Sequence, residues 1–200
     1  MKMKLKGCWI ATVGILLLMA GCGQPEVPDA RFYRISVDQP IKEEEVVLLK
    51  GQLLVRQFLA DGLVSERPLI YTASSGVLQQ YHYHSWSESP TRLIQEQLVK
   101  YLRRLKLAEE VVTPEMRIDA DYELIGKIKL LEHILTAEPS VSVELELGLV
   151  NAQAGALIFL GDYTSRIRCS NNSVEAAVLA FGQAISNIFG NFAQDVQVDS

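Results

Sequence analysis

Apolar and polar positions alternate in three successive runs late in the chain. Tyr122, Leu124, Ile128 and Leu130 share one side, with Asp121, Glu123, Lys127 and Lys129 opposite. Val141, Val143, Leu145, Leu147 and Leu149 alternate with Ser142, Glu144, Glu146 and Gly148. After a turn at 151–155, a third run spans 156–168. A period of two puts one face on a core and the other in water, the signature of half-buried antiparallel strands. Earlier, Tyr33, Ile35 and Val37 alternate within 32–37 and predict a first strand, followed by a polar loop over 38–45. Apolar runs at 46–49 and 53–58, around Gly51, predict a long irregular strand or a bent pair. Asp61-Gly62 is a turn signal. Residues 69–71 and 77–83 flank Ser74-Ser75-Gly76 as a hairpin. Residues 109–113 predict a short strand before Pro114.

Two segments change to a helical period. Ser89 can cap the first and Pro90 suits its first turn. Its apolar stripe is Ile94, Leu98, Tyr101, Leu102 and Leu105, and it is expected to end near Lys106. The second starts at 171–173, with Val174, Ala177, Val178, Phe181, Ile185, Ile188, Phe189 and Phe192 on its packed face. The layer solution is an α+β domain, a mainly antiparallel sheet with both helices on one face. The second helix is apolar on further sides as well, at Ala176, Ala180, Gly182 and Ala184. This suggests cover by a neighbouring subunit and hence a homo-oligomer.

The first thirty residues follow neither period. Lys2, Lys4 and Lys6 form a basic start, and the 13 residues from Cys8 to Ala20 are almost wholly apolar. That length suits a signal-peptide core and falls short of the ~20 residues of a membrane-crossing helix. The run ends in Leu18-Met19-Ala20-Gly21-Cys22, which resembles a lipobox. Small residues suit the peptidase site, and the Cys22 thiol is the nucleophile that takes diacylglycerol. Residues 1–21 are therefore expected to be a lipoprotein signal peptide. Cys22 is then the lipidated first residue of the mature chain. Ordinary cleavage after Ala20 or Gly21 is the alternative. Acyl chains anchor stably, at about 0.8 kcal/mol per buried CH₂. Gly23 after the cysteine, by likeness to lipoproteins of enteric bacteria, favours the outer membrane, with the domain facing the periplasm. The expected divisions are lipidated cysteine and tether at 22–30, one domain at 31–193 and a polar tail at 194–200.

Composition narrows the function. Hydrophobic residues make up 48% and charged residues 22%, enough for a real core. The formal charge is −5, and removing the three leader lysines, which no acid accompanies, takes it to about −8. Such a surface repels phosphate backbones, so no nucleic-acid partner is expected. Cys8 leaves with the leader and Cys22 carries the anchor. Cys169 is then without an intramolecular partner and is expected to be buried.

No nucleophile elbow, zinc-protease motif, phosphate loop or dinucleotide fingerprint occurs, so neither catalysis nor a cofactor is expected. The best metal candidates are His82 and His84, which point the same way in an extended chain. His133 is a conceivable third nitrogen that no local pattern brings near. The competing reading is a surface pair beside a packing Trp86. Lys100, Arg103, Arg104 and Lys106 form a basic cluster late in the first helix. It is either a solvated face that complements the helix dipole or a contact for anionic headgroups or an acidic partner.

Several spaced motifs carry a family resemblance. Phe32-Tyr33-Arg34-Ile35 is an aromatic-rich segment soon after the lipobox. Leu69-Ile70-Tyr71 follows Glu66-Arg67-Pro68. Tyr81 to Trp86 leads to Pro90 and Leu93-Ile94. Ala120-Asp121-Tyr122-Glu123-Leu124-Ile125-Gly126 opens the alternating runs. In this order, over about residues 31–190, they resemble the ABC-type transport auxiliary lipoproteins, the PqiC/YmbA-like group. After Gly126 the chain departs, with Leu130-Leu131-Glu132 where the family often has an aromatic. The resemblance implies a non-enzymatic outer-membrane lipoprotein. Its partners would be an MCE-domain protein and an ABC transporter complex that moves lipids between membranes. Tyr33, Tyr71, Trp86 and Tyr122 match recurrent aromatics, at least as well suited to core as to contact. A lipoprotein that binds lipid itself or assists outer-membrane assembly is the alternative, and a metal-dependent enzyme at His82 and His84 a third.

Overall fold

The computed structural model describes residues 28–40, 47–73 and 76–198. The signal peptide, Cys22 and most of the tether lie outside the described residues, as do 199–200. The strands run, in chain order, β1 (Arg31–Tyr33), β2 (Leu49–Val55), β3 (Leu59–Ala60), β4 (Pro68–Ala73) and β5 (Leu78–Trp86). Helix α1 (Pro90–Leu105) follows, then β6 (Ala108–Val112), β7 (Tyr122–Leu135), β8 (Ser140–Asn151), β9 (Ala156–Arg168) and helix α2 (Val174–Val198).

The class is α+β as expected, but the sheet is mixed and curled rather than mainly antiparallel. Among the described residues only the local hairpins are antiparallel: β4 with β5, β7 with β8, and β8 with β9. All other pairings are parallel. Strand β7 is the axis. One edge carries β8 along nearly its whole length. The other edge outruns any single partner and takes three end to end. Leu53–Val55 of β2 pair with Tyr122–Leu124, Leu59–Ala60 with Lys127–Ile128, and Tyr71–Ala73 with His133–Leu135. Alternation along a strand reports which side chains are buried, not which way its neighbour runs. That is why the three-strand meander is legible and the parallel joins are not.

Asp121 ties the narrow end of this arrangement. Its Oδ2 accepts from the Gln52 N–H at 2.9 Å and its Oδ1 from Gln153 Nε2 at 3.1 Å. Gly51, at φ +106, makes the bend in β2, and a Cβ there would lie 2.1 Å from the Asp121 carboxylate. Gly126, last in the same motif, leaves room for the buried Phe58 ring, whose nearest atoms would be 2.5 Å from an added Cβ.

The core lies between the helices and the sheet. Val141, Val143, Leu145, Leu147 and Leu149 are fully buried on the helix side of β8. Helix α1 ends at Leu105, and Lys106 adopts the left-handed conformation that closes it, as its pattern predicts. Two expectations change. The predicted first strand stops at Tyr33, and Ile35 and Val37 are instead buried against α2 outside the sheet. The predicted polar tail is helical through Val198, because Val196 continues the buried stripe and Asp195 accepts a 2.8 Å hydrogen bond from Tyr163. Ala176, Ala180 and Ala184 are buried within the chain itself, so they need no neighbouring subunit.

Candidate docking surface

The histidines do not form one constellation. A register shift between β4 and β5 sets Pro68 opposite Ser85 but Ile70 opposite Gln80. The extra residues on β5 break the alternation that would align His82 with His84. His82 and Tyr83 are left exposed, while Tyr81 and His84 meet edge to face with ring centroids 5.6 Å apart. His84 Nδ1 lies 2.7 Å from the Tyr33 hydroxyl. Tyr33 donates to Glu175 at 3.0 Å, so His84 donates from Nδ1 to the Tyr33 oxygen. Arg31 reaches the same Glu175 oxygen at 2.9 Å. The backbone N–H of Glu175, then Tyr33, hold the Glu175 carboxyl below its ordinary pKa. This clasp fixes the start of the domain to the start of α2.

His133 is separate and fully buried. Its Nδ1 shares a 3.0 Å hydrogen bond with the Tyr81 hydroxyl, and its Nε2 has no partner among the described residues. Burial pushes the His133 pKa down and the Tyr81 pKa up to about 12. The signs give a test. Below the ordinary histidine value of 6.5 the unfolded chain binds a proton that the folded ring refuses, so stability falls as pH falls. Above about pH 10 the unfolded chain releases a Tyr81 proton that the folded state keeps, so stability falls again. His133→Leu is expected to flatten the loss between pH 7.5 and 5.5, read by denaturant unfolding at each pH. An unchanged acid slope would show that the ring protonates freely in the folded domain. Among the described residues, no three histidine, cysteine or carboxylate side chains are grouped to hold a metal.

Cys169 is buried, as expected. The basic cluster divides. Arg103 donates from Nε and Nη2 to the Val111 carbonyl at 2.9 and 2.8 Å, where it blocks part of the β6 edge. Lys100 and Arg104 are exposed on α1.

The surface that sequence reasoning missed is the outer side of the sheet at β9. One edge of β9 pairs with β8, and the other has no strand partner among the described residues. Leu157, Ile158 and Leu160 are exposed on it. Leu160 stands in register with Gly148 and Ile125, and both side chains close over the glycine, approaching an added Cβ to 3.1 and 3.0 Å. Leu59, 67% exposed, completes a shallow hollow of about 90 Å³. That is far below the roughly 300 Å³ at which small-molecule sites begin, and fits a single protruding side chain. Beside it, Lys127 pairs with Asp61, and Lys129 with both Glu144 and Asp162, so the rim is polar and largely self-neutralised. An apolar centre with a polar rim is the composition of a protein interface. The larger clefts, about 430 Å³ beside Arg166 and Arg168 and about 380 Å³ beside Arg34 and Lys100, are lined mostly by polar side chains unsuited to an acyl chain. The signal available in sequence was Leu157-Ile158-Phe159-Leu160, a run too apolar for a strand with one wet face.

The chain is similar to known proteins in family and fold. The model of a family described as the ABC-type transport auxiliary lipoprotein component matches residues 33–191. Among curated proteins none matches the chain. The fold is similar to the crystal structure of protein XCC0632 from Xanthomonas campestris, at TM-score 0.75 and 19% identity, covering 85% of this chain and 96% of that one. A second crystal structure, of an uncharacterised protein, matches at TM-score 0.65 and 13% identity, over 84% of this chain and 99% of the other. At these identities the likeness is one of fold.

Proposed function

Because this chain belongs to the ABC-type transport auxiliary lipoprotein family, we propose that it is a non-catalytic docking module, anchored through acylated Cys22 and gripping a transport partner with its β9 margin. The observation that carries the reading is the position of the exposed apolar side chains. Along the path β1-β5-β4-β7-β8-β9, the chain enters at one margin and the exposed Leu157, Ile158 and Leu160 lie at the other, with the hollow running back from Leu160 across β8 and β7 to Leu59. Five inter-strand steps at about 4.8 Å separate them by ~24 Å along the sheet. A module tethered at one margin thus presents its sticky margin away from the tether.

The partner we assign is the MCE-domain protein of an ABC transport complex that carries lipid between membranes. The anchor is assigned to the outer membrane, with the domain in the periplasm. Lys100, Arg103 and Arg104 would add a basic side contact for an acidic partner surface. We assign the domain to residues 31–198, a reading supported by elements that run from Arg31 to Val198.

Leu160→Glu places a charge in the hollow without touching the core. It is expected to change folding stability by no more than about 0.5 kcal/mol. It is also expected to cut co-purification of the transport complex at least about tenfold, equivalent to about 1.4 kcal/mol. A photocrosslinker at Ile158 in the lipidated protein should capture the MCE-domain protein. Undiminished recovery of the complex with Leu160→Glu would remove β9 from the interface.

A further inference from the structure

The margin where the chain enters the sheet carries its own exposed apolar patch. Tyr33 and its register partner Trp86 face α2, through Glu175 and Phe181, so Phe32, one position earlier and paired with Ser85, points away from the helices. Phe32 is 61% exposed, and Tyr83 of the adjoining strand is exposed as well, with Val77 and Leu78 exposed farther along, at the turn end of the hairpin. The Arg67 guanidinium lies over the Phe32 ring, 5.5 Å from its centroid, and donates from Nε to the Trp86 carbonyl at 3.2 Å. Cation and ring are therefore held together rather than meeting by chance. Arg34, beyond the end of β1, is exposed in the cleft beside α1 with Glu88 and Lys100 and lies off this face. Aromatic rings beside guanidinium groups settle at the headgroup level of bilayers, where ring and charge are both accommodated. Positive charge here also runs against the acidic balance of the whole chain.

Position selects the occupant. Cys22 stands nine residues before Arg31, and nine residues span at most about 32 Å. An acyl anchor at Cys22 would confine this patch to that distance from the headgroups. Confinement raises its effective concentration at the bilayer, so a patch too weak to bind vesicles alone makes contact when tethered. We infer that the Phe32–Tyr83 face, with Arg67, is a membrane-contact surface that rests on anionic headgroups and stands the domain on the bilayer in one orientation. This rests on the reading of Cys22 as the anchor.

The test uses the lipidated protein, purified in detergent and reconstituted into vesicles of phosphatidylethanolamine with a minority of phosphatidylglycerol. Phe32→Cys, Tyr83→Cys, Leu157→Cys and Leu179→Cys are each labelled with an environment-sensitive dye, Cys169 being buried and Cys22 acylated. Flotation of the vesicles reports the anchor separately. Lipid-borne quenchers are expected to quench labels at 32 and 83 several-fold more than those at 157 and 179. Arg67→Glu, added to the Tyr83→Cys protein, should reduce that quenching. Equal quenching at all four sites, or none at 32 and 83 in protein that floats, overturns the contact surface while the anchor stands. Protein that fails to float removes the anchor, and this inference with it.

Discussion

Gly182→Ala is expected to destabilise the domain by about 2–4 kcal/mol, the reverse of what the same exchange does in an exposed helix, where it gains about 1 kcal/mol. The cause is a close backbone crossing. A Cβ on Gly182 would lie 2.1 Å from the Ser36 carbonyl oxygen, so helix and segment 34–38 must separate by about 1 Å to reach ordinary contact. Backbone cannot rotate away as a side chain can. Separation would strip cover from the buried Ile35 and Val37 and break the 3.2 Å hydrogen bond from Ser186 Oγ to the Asp38 carbonyl. Urea unfolding of the variant measures the loss. A midpoint equal to or above that of the parent would show that 34–38 does not sit on α2.

Trp86→Ala is expected to cost more, about 3–5 kcal/mol, the range for removing a large aromatic from a packed core. Trp86 is 2% exposed and packs edge to face on Phe181, with ring centroids 5.6 Å apart. It joins the β1–β5 arm to α2, so a cavity there opens the seam between the sheet margin and the core helix. For a domain of this length the loss corresponds to a fall in Tm of roughly 6–20 °C. Trp86→Phe, which keeps an aromatic on Phe181, should recover a large part of it. A fall in Tm of only a degree or two for Trp86→Ala would mean that the arm is not packed on the helix. The stability cost is separate from docking, since Trp86 faces inward and the exposed Leu157, Ile158 and Leu160 of β9 lie at the opposite margin.

The residues carrying the family resemblance act mostly as structure. Asp121 staples β2 to the turn before β9, Gly126 seats Phe58, and Trp86 packs on Phe181. Tyr33 holds the Glu175–His84 clasp. Motifs of this kind report a shared frame, and the exposed leucines of the proposed docking margin lie outside them. The His82–His84 pair shows the opposite failure. Its two-residue spacing suggests a common direction, and the β5 irregularity removes it.

What the linear pattern determines here is the kind of most elements and the buried side of the regular ones; in β7 the bulge between Ile128 and Leu130 moves burial from the expected Leu130 to Leu131 and His133. The alternation of 141–149, the stripe of α1 and its stop at Lys106 all follow from spacing along one stretch of chain, because rise and rotation per residue are local properties. The tertiary structure alone decided the parallel seating of β2, β3 and β4 along β7, the crossing of residues 34–38 over Gly182, and the apolar margin at β9. Each depends on residues tens of positions apart reaching the same place. Such contacts are set by how whole elements close around one core, and side-chain periodicity within a segment carries no record of them.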